Sequence, residues 1–498
     1  MPREPFVSLF GRGNGQPGQT HPLPGQTPTS RNGTNRVLYT TPHTHTHIHR
    51  SSGVKFISPP LLPPNLAAVA YTTVIAVPQL SCRVVLQYGV RGSRLCHTTR
   101  ARVSRMKLAH GVTLLPTFMP VATQAAIKGL TPQQVEGLGI TLILNNTYHL
   151  NLRPGIKVLR EVGGAHQLQG WNHNLLTDSG GFQLVSLSKF TKITEEGALF
   201  ASPFTGEPTM LTPEESISIQ HAIGADIIMQ LDDVVSSLTV GPRVGEAMRR
   251  SVRWLDRCID FHDKSGRNKA QNLFAIVQGG LDSSLRDECL DEMIKRRKKV
   301  AGYAIGGLSG GEEKGIISQC AEKLPADKPR YSMGIGFAED LLVCVALGVD
   351  MADCVFPTRT ARFGVALTFK GPLNLKLGKH AKDLNPIDPT CPCPTCSNGV
   401  SRAILHHTAT HETAAAHAIT LHNLTFQARV MGQARDAIMK GTFPTYLRGF
   451  FENYFGDAGY PEWCVNALQS VGVDLLEGNP EAKIVKGDGA RWEHSRAE

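Results

Sequence analysis

Eight short apolar runs recur along the chain from about residue 108 onwards, and each run stops at glycine or at polar residues. The runs are centred near Pro116, Ile143, Leu176, Ile228, Ala275, Ala304, Ser332 and Cys354. Apolar residues with helical spacing lie between them, as in residues 242–258 and 284–295. Short apolar runs of this kind are typical of strands buried on both faces of a parallel sheet. Eight of them alternating with helices predict an α/β fold, the (β/α)8 TIM barrel, whereas the rival doubly wound sheet would normally need no eighth repeat.

Acidic residues stand at the ends of three of these runs. Asp178 follows the third run, Asp232 ends the fourth, and Asp353 lies at the end of the eighth. Each of them alone would more often be a helix cap or a turn residue. In a (β/α)8 barrel, however, the carboxyl ends of all strands meet at one face, where the catalytic groups gather. The three acids therefore predict one pocket, in which one carboxylate attacks a sugar carbon while another moves a proton.

Glycines, amides and apolar side chains near the same strand ends favour a flat ligand. The turn Gly306–Gly307 lacks the lysine and the spacing of a nucleotide-binding loop, so it predicts a backbone that approaches a ligand closely. Gln183 and Gln278 are available to bond the edge of such a ligand. Phe182 and Met333 could sandwich an aromatic base, although ordinary packing at the barrel mouth explains them equally well.

Three of the eleven cysteines, Cys391, Cys393 and Cys396, lie within six residues. Thiolates at this spacing predict one tetrahedral zinc ion, and a site closed by three thiolates and one imidazole is structural rather than catalytic. The fourth ligand must follow downstream, where the candidates are His406, His407, His411, His417 and His422. The other eight cysteines are scattered singly, which is typical of a reducing compartment and not of a secreted disulfide scaffold.

The net charge of +10 arises in the first part of the chain. Residues 1–107 hold thirteen Lys or Arg and one acid, a balance of +12, which leaves −2 for the remaining residues. The overall basicity therefore says nothing about RNA binding by the folded part. Within that part, the run Lys295–Lys299 is as readily a solvated helix end as an RNA contact. Because no apolar run is long enough to cross a membrane, an aqueous compartment is expected.

The composition divides the chain into three predicted parts. Residues 1–104 form a basic, low-complexity extension that is expected to be disordered or transit-like. Residues 105–476 form the barrel domain, with a zinc-binding subdomain at about 388–424, and residues 477–498 form a short tail. The expected localisation is cytoplasmic, and the composition of the extension leaves a mitochondrial or mitochondrial-surface association open.

Seven motifs, in order along residues 105–475, resemble those of the tRNA-guanine transglycosylase family. They are FMPVATQAAIKG (118–129), NTYHLNLRPG (146–155), LLTDSGGFQ (175–183), QGGL (278–281), YAIGGLSGGE (303–312), DCVFPTRTARFG (353–364) and the cysteine cluster. Several of these motifs are long, which makes the resemblance specific. The family is a (β/α)8 barrel with a zinc-binding insertion near its end, so the resemblance implies the same fold as the apolar runs.

The resemblance also implies roles for individual residues. Asp353 would be the nucleophile on the ribose anomeric carbon of the wobble guanosine, and Asp178 would accept a proton from the incoming base. Zinc would be held by Cys391, Cys393, Cys396 and His422. The base pocket would comprise Asp178, Ser179, Gly180, Gly181, Phe182, Asp232, Gln278 and Gly307. Met333, which its position at a strand end already suggested, is added to this pocket. The anticodon loop would be contacted by Gly334, Ile335, Gly336, Phe337, Ala338, Glu339, Asp340, Thr358, Arg359, Thr360, Ala361 and Arg362.

Two positions favour the eukaryotic members of the family. Val234 and Gly310 stand where bacterial members resemble one another in carrying cysteine and valine, and losing the valine side chain would enlarge the pocket for the cyclopentenediol of queuine. The resemblance therefore implies a pentosyltransferase that exchanges guanine for queuine in tRNAs with a GUN anticodon, through a covalent enzyme–RNA intermediate. It also implies a heterodimer with a non-catalytic paralogous subunit. The alternatives are that the chain is itself such a paralogue, or a zinc-stabilised tRNA-binding protein; the presence of both Asp178 and Asp353 argues against them.

Overall fold

The computed structural model describes residues 85–88, 96–183, 192–201, 206–237, 239–308, 314–409 and 412–486. Within them, eight parallel strands form a closed barrel. These strands are β1 (Thr117–Ala122), β2 (Leu142–Asn145), β3 (Asn174–Thr177), β4 (Ile227–Met229), β5 (Asn272–Val277), β6 (Gly302–Ile305), β7 (Arg330–Ser332) and β8 (Met351–Cys354). Each predicted apolar run supplies one strand, and β8 pairs with β1 to close the barrel. The predicted (β/α)8 TIM barrel is confirmed.

Helices connect the strands and continue after the barrel. Between the strands lie Pro132–Gly137, Thr147–Leu152, Ile156–Glu161, Ala165–Gln169, Pro213–Ile223, Pro242–Lys264, Ser283–Lys295, Lys314–Lys323 and Ala338–Ala346. After β8 come Phe356–Arg362, Pro394–Ser397, Arg402–Thr408, Thr413–Lys440, Phe443–Phe455 and Glu462–Gln469. Local sequence sets their ends, as where Thr212 and Glu215 form a reciprocal capping box. In the part of the chain that the structure describes, every helix is too short or too polar to span a lipid bilayer.

Shorter antiparallel sheets and pairs accompany the barrel. Val85–Tyr88, Ser104–Leu108 and Gly111–Leu115 form a three-stranded sheet before β1. A second three-stranded sheet of Lys192–Ile193, Ala198–Ala201 and Pro208–Leu211 is inserted between β3 and β4. Val365–Thr368 pairs with Gly371–Asn374 after the helix Phe356–Arg362.

The hairpin plug, formed by Ser104–Leu108 and Gly111–Leu115, closes the amino-terminal end of the barrel. Buried and exposed residues alternate along Ser104–Leu108, as expected of a strand with one face on a core. Met106 and Leu115 are fully buried in one apolar cluster with side chains from inside the barrel, among them Leu144. The opposite end of the barrel, at the carboxyl ends of the strands, is therefore the face at which side chains can meet a substrate.

The folded domain extends beyond the boundaries expected from composition. Near its start, Arg102 forms a buried ion pair of 2.6 Å with Asp350, which directly precedes β8. Near its end, Ile484–Val485 pairs with Tyr460–Pro461. Part of the predicted extension and part of the predicted tail thus belong to the domain. The rest of both segments lies outside the described residues.

Candidate active site and metal cluster

The predicted site residues follow the carboxyl ends of successive barrel strands. Asp178 and Gln278 come directly after β3 and β5, and Asp232 lies three residues beyond β4. Met333 comes directly after β7, and Asp353 is the third residue of β8. Since these strand ends meet on one face of a barrel, residues that are far apart in the sequence share one surface. The three acids stand together as the sequence analysis expected.

Three donors surround the buried carboxylate of Asp178. Asn146 Nδ2 and Gln183 Nε2 donate to Oδ2 at 2.5 and 2.8 Å, and Thr147 N donates to Oδ1 at 2.7 Å. Burial disfavours the charged form and raises the pKa of Asp178 to about 6; the donors lower it, and the nearby Asp353 carboxylate adds to the rise. Asp178 therefore exchanges its proton close to neutral pH, as a general acid or base must.

Asp232 belongs to a second buried network beside Asp178. Its Oδ1 accepts a hydrogen bond from Ser179 Oγ at 3.0 Å, and its Oδ2 accepts one from Gln278 Nε2 at 2.6 Å. Burial raises the pKa of Asp232 to about 6 against the effect of these donors, and the neighbouring Asp233 carboxylate also raises it. Because Ser179 follows Asp178 directly, the two networks are joined through the backbone.

Gln278 presents an acceptor that the protein leaves unused. Its Oε1 is buried and accepts no hydrogen bond within the residues that the structure describes. A Cβ on Gly307 would lie 2.4 Å from this oxygen, and a Cβ on Gly306 would lie 2.7 Å from Ile276 Cγ2. These glycines are thus required by contacts inside the protein, whereas the sequence analysis attributed them to a ligand. A buried acceptor without a donor costs about 1–3 kcal/mol, so Gln278 Oε1 is suited to an N–H group of a ligand.

Asp353 differs from the other two acids in how its oxygens are held. Tyr331 Oη and Gly334 N both donate to Oδ1, at 2.5 and 2.9 Å. Within the described residues, Oδ2 accepts no hydrogen bond. Burial raises the pKa of Asp353, and the two donors act in the opposite direction. The carboxylate is therefore fixed by one oxygen and presents the other to the face of the barrel.

The turn after Asp178 adds an aromatic ring to this face. Phe182 is 54% exposed, whereas Met333 is partly buried against the core inside the barrel. Gly180 has a φ of 83°, and a Cβ on Gly181 would approach Asp232 O to 3.1 Å. The glycines thus allow the turn to pack tightly while Phe182 stays exposed. An exposed ring beside buried carboxylates is suited to stacking on a flat ligand.

The predicted RNA contacts divide into two groups. Seven of the twelve residues are buried, namely Ile335, Gly336, Ala338, Glu339, Asp340, Thr358 and Ala361. Gly334 and Arg362 are exposed, and Phe337, Arg359 and Thr360 are partly exposed. Since a buried side chain is shielded from a macromolecular ligand, the second group offers the side chains for direct contact, and RNA binding by both groups stays a prediction.

Several site residues were missed by the sequence analysis. Asn146 and Thr147 hold Asp178, and Tyr331 holds Asp353, but only the tertiary structure pairs them. Asn146 directly follows β2, so the rule that polar residues end the apolar runs could have singled it out.

Lys128 is another residue that the sequence analysis did not single out. Its pKa is lowered first by burial and then by the positive charges of Arg362 and Arg359. These three cations therefore lie close together.

The basic run Lys295–Lys299 is not part of this surface. Lys295 pairs with Glu292 at 2.5 Å, and Arg296 pairs with Asp256 at 2.6 Å. Arg297 and Lys299 also pair with acids, at 2.7 and 2.8 Å. The run precedes β6 and so lies towards the amino-terminal ends of the strands. Of the two interpretations of Lys295–Lys299, the structure therefore favours a solvated helix end over an RNA contact.

The three predicted cysteines and one histidine form a buried cluster. Cys391, Cys393, Cys396 and His422 offer donor atoms that all lie within 4.8 Å of one another. Cys396 Sγ and Cys393 Sγ are 3.3 and 3.7 Å from His422 Nδ1. His422 Nε2 lies 2.8 Å from Leu367 O, so it donates to this carbonyl and Nδ1 faces the thiols. The cluster fits a single metal ion with a closed coordination shell.

The other candidate histidines of the described residues are engaged elsewhere or lie apart from the cluster. His406 Nδ1 is 2.9 Å from Leu375 O, and His417 Nδ1 is 2.5 Å from Gly129 O. His407 is not among the clustered ligands, and His411 lies outside the described residues. Spacing left the fourth ligand open among five histidines, and the family resemblance implied His422. The geometry of the cluster agrees with His422.

The fold and the site define a class of protein, a (β/α)8 barrel with acidic side chains at the carboxyl ends of its strands, an arrangement suited to transfer at a glycosidic bond. The family model described as "Queuine tRNA-ribosyltransferase" matches residues 96–456. The chain therefore belongs to the queuine tRNA-ribosyltransferase family.

Two residues favoured the eukaryotic members of the family in the sequence analysis. Val234 is partly buried two residues beyond Asp232, whereas Gly310 lies outside the described residues.

Individual relatives agree with the family match. The chain is 53% identical over 393 residues to the "Queuine tRNA-ribosyltransferase catalytic subunit" of Schizosaccharomyces pombe, which covers 76% of this chain and 96% of that relative. It is 47% identical over 394 residues to the protein of the same name from Caenorhabditis elegans, covering 75% of this chain and 97% of the relative. It is 42% identical over 365 residues to the "Queuine tRNA-ribosyltransferase" of Bacillus licheniformis, covering 72% and 94%.

Replacing Asp232 by asparagine is expected to stabilise the protein at pH 7.5 and to have little effect at pH 4. The pKa of Asp232 is about 6 in the folded state, against about 3.9 in an unfolded chain. The folded state therefore binds more protons, and stability is lost as the pH rises between these two values. Asparagine avoids this loss, which amounts to about 1–3 kcal/mol above pH 6. Ser179 and Gln278 can reorient to bond the amide.

Urea unfolding of wild type and Asp232→Asn at pH 4, 6 and 7.5 measures the difference. Asp457→Asn, at an exposed acid, is the matched control and should follow the wild type at every pH. If Asp232→Asn gains no stability relative to wild type between pH 4 and pH 7.5, burial does not govern the titration of Asp232.

Proposed function

We propose that the chain exchanges guanine for queuine at the wobble position of tRNAs with a GUN anticodon, by double displacement. The observation that carries this proposal is the difference between the two neighbouring carboxylates of Asp178 and Asp353. Asp353 is held through Oδ1 alone, whereas Asp178 accepts hydrogen bonds at both oxygens and has a pKa of about 6. The first arrangement suits a nucleophile and the second suits a carrier of protons.

Recognition of guanine would use the acceptors near Asp178. The edge of guanine carries an N1–H and an amino group, which are donors. Asp232 and Gln278 Oε1 are acceptors on the same face of the barrel, and Gln278 Oε1 lacks a donor within the described residues. Phe182 provides an exposed ring on which the base can stack. A base drawn out of the anticodon loop would therefore find both stacking and edge contacts.

In the first displacement, Asp353 Oδ2 attacks C1′ of the ribose. The C1′–O bond forms as the C1′–N9 bond of guanine breaks, and the electron pair of that bond moves to guanine. Protonated Asp178 supplies the proton that the departing base requires. Because Tyr331 and Gly334 hold Oδ1, the attacking oxygen keeps its direction.

In the second displacement, the incoming queuine attacks the same carbon from the face that guanine left. Asp178, now a carboxylate, takes the N9 proton of queuine as the new C1′–N9 bond forms. The ester bond between C1′ and Asp353 breaks, and the carboxylate is regenerated. Two inversions leave the configuration at C1′ unchanged, which is the outcome expected of retaining glycosyl transfer.

The backbone of the RNA would contact the cationic surface next to the site. Arg362 is exposed, Arg359 is partly exposed, and the charges of both lower the pKa of Lys128. Both arginines lie in Phe356–Arg362, which begins two residues after β8 and thus close to Asp353. Such cations suit phosphate groups on either side of the extruded nucleotide.

Asp353→Asn is expected to bind tRNA and to form no adduct that survives denaturation, because an amide oxygen is a poor nucleophile. Asp178→Asn should slow base exchange by about 10²–10⁴-fold, since it cannot carry the proton. The measurements are exchange of labelled guanine with unmodified tRNA, and denaturing electrophoresis of the protein with tRNA in the absence of free base. Tyr331→Phe, which keeps both carboxylates, should still form the adduct.

A tRNA with a different base at the wobble position is the substrate control and should give no exchange. An adduct formed by Asp353→Asn would refute the assignment of the nucleophile. Absence of guanine exchange and of any adduct with the wild type, tested alone and with a partner subunit, would refute the proposed reaction.

We further infer that the ion of the Cys3His cluster is zinc and that it is structural. Three buried thiolates and one imidazole leave no open coordination position, and this set prefers a tetrahedral zinc ion. Zinc there would supply a rigid cross-link between the loop at Cys391 and the helix Thr413–Lys440, with no part in the displacement at C1′. The chemistry of transfer would rest on the carboxylates alone.

Replacing Cys393 by serine is expected to remove zinc and to lower the melting temperature, because the coordination shell loses one of its thiolates. Elemental analysis should give about one zinc ion fewer per chain than in the wild type. Cys320→Ala is the control, since Cys320 is equally buried but lies outside the cluster. A Cys393→Ser protein with wild-type zinc content and melting temperature would contradict the structural role.

We also propose that the chain works in a heterodimer with a non-catalytic paralogous subunit. Support comes from the printed names of the relatives from Schizosaccharomyces pombe and Caenorhabditis elegans, which are called catalytic subunits. Size-exclusion chromatography after co-expression should show a 1:1 complex with higher exchange activity than the isolated chain. Equal activity of the isolated chain would argue against an obligatory partner.

A further inference from the structure

A second group of metal-ligating side chains lies at the amino-terminal end of the barrel, opposite to the candidate active site. Its members are His110, His166 and Asp226, each of which offers one donor atom within 4.8 Å of the others. His110 lies in the turn of the hairpin plug, and His166 lies in the helix Ala165–Gln169. Asp226 directly precedes β4. The group thus joins the hairpin plug to the body of the barrel.

The two imidazoles are aligned on one carboxylate. His110 Nδ1 lies 2.8 Å from Asp226 Oδ1, and His166 Nε2 lies 3.4 Å from Asp226 Oδ2. The two rings are stacked, with their centroids 3.7 Å apart and their planes at 20°. Side by side in this way, both rings direct a nitrogen to the same side chain. The arrangement is a preformed cluster of two imidazoles and one carboxylate.

We propose that His110, His166 and Asp226 bind one divalent transition-metal ion, of the zinc type, which fastens the hairpin plug to the barrel. Imidazole nitrogens and a carboxylate oxygen are ligands that zinc accepts in a tetrahedral or open site. This ion is distinct from that of the Cys3His cluster, with which it shares no ligand. The proposal does not depend on the proposed base exchange.

The charge of Asp226 favours a cation at this position. Its side chain is 1% exposed, and its two oxygens lie against His110 Nδ1, His166 Nε2 and Leu175 N. A buried carboxylate that stays ionised requires a positive charge beside it. Either a protonated imidazole or a metal ion can provide that charge. Metal binding would release the protons on His110 Nδ1 and His166 Nε2 to solvent.

Binding one ion requires the two contacts to reach a similar length and the two stacked rings to turn towards a common point. Donors of a tetrahedral zinc ion with bonds of about 2.0–2.2 Å lie about 3.4 Å apart. The contact of His166 with Asp226 already has this length, 3.4 Å, and the contact of His110 must open from 2.8 Å. The His110 side chain is 39% exposed and lies in a turn, so it can make this movement. His173 O, 3.0 Å from His166 Nε2, is a further oxygen donor near the ion.

The test compares the zinc content of the full chain with that of two single variants. Wild type, His110→Ala and His173→Ala are equilibrated in the same zinc buffer, dialysed and measured by elemental analysis. His173 is the matched control because it lies beside the cluster but directs its ring to Glu136. Wild type and His173→Ala should each hold about one zinc ion more per chain than His110→Ala. The difference is independent of how far the Cys3His cluster is loaded.

Thermal unfolding provides a second reading. With the Cys3His cluster already loaded in every protein, further zinc should raise the melting temperature of the wild type and of His173→Ala, but not that of His110→Ala, because only the folded state of the first two offers the second site. Loss of one ligand should weaken zinc binding at this site by at least about tenfold, since even changes behind the ligands cost 10–100-fold. His166→Ala should behave as His110→Ala does. Equal zinc content in wild type, His110→Ala and His166→Ala would overturn the proposal, and the cluster would then be a purely hydrogen-bonded one.

Discussion

Pairing of β8 with β1 closes the barrel, and the geometry of the candidate active site depends on this closure. In the register of the pair, Asp353 lies opposite Met119 of β1. In an open sheet running from β1 to β8, Asp353 would stand at one edge and Asp178 near the other. Closure makes β8, β1, β2 and β3 consecutive neighbours, so that Asp353, Asn146 and Asp178 come from adjoining strand ends. Asp353 lies close enough to Asp178 to raise its pKa because the barrel is closed.

Asp178 and Asp232 are buried in the closed barrel, and burial alone favours their neutral forms. The protein limits this effect with N–H and O–H donors, three at Asp178 and two at Asp232. Asp233, next in sequence, is instead held by the guanidinium groups of Arg243 and Arg250. The outcome is a pair of acids with a pKa of about 6 each beside an acid that is fully ion-paired. Keeping the first two acids buried therefore costs stability at neutral pH, as is common at functional sites.

One face of the long helix Thr413–Lys440 connects the metal cluster with the surface beside Asp353. His422 contributes to the cluster, and the next residue, Asn423, donates to Pro357 O and Val365 O at 3.0 Å each. One turn further on, Gln427 Nε2 donates to Gly336 O at 2.6 Å. The helix therefore supports both the helix that carries Arg359 and the loop that follows β7. A metal ion in the cluster would stiffen this support without entering the reaction.

The sequence by itself determined the eight strands, the acids at their ends and the cysteine cluster, because each of these is recorded locally. A strand buried on both faces requires an unbroken apolar run, and ligands on one ion require close spacing. The tertiary structure alone decided which groups meet. Tyr331 with Asp353, and Asn146 with Asp178, are partners 22 and 32 residues apart that no local periodicity connects. Likewise, burial of Glu339 and Asp340 depends on what packs over them, and apolar patterning around two acids cannot report it. Local patterns record which apolar runs are buried, whereas the burial of a polar group and the identity of its partner are set by where the closed barrel places its other strands and helices.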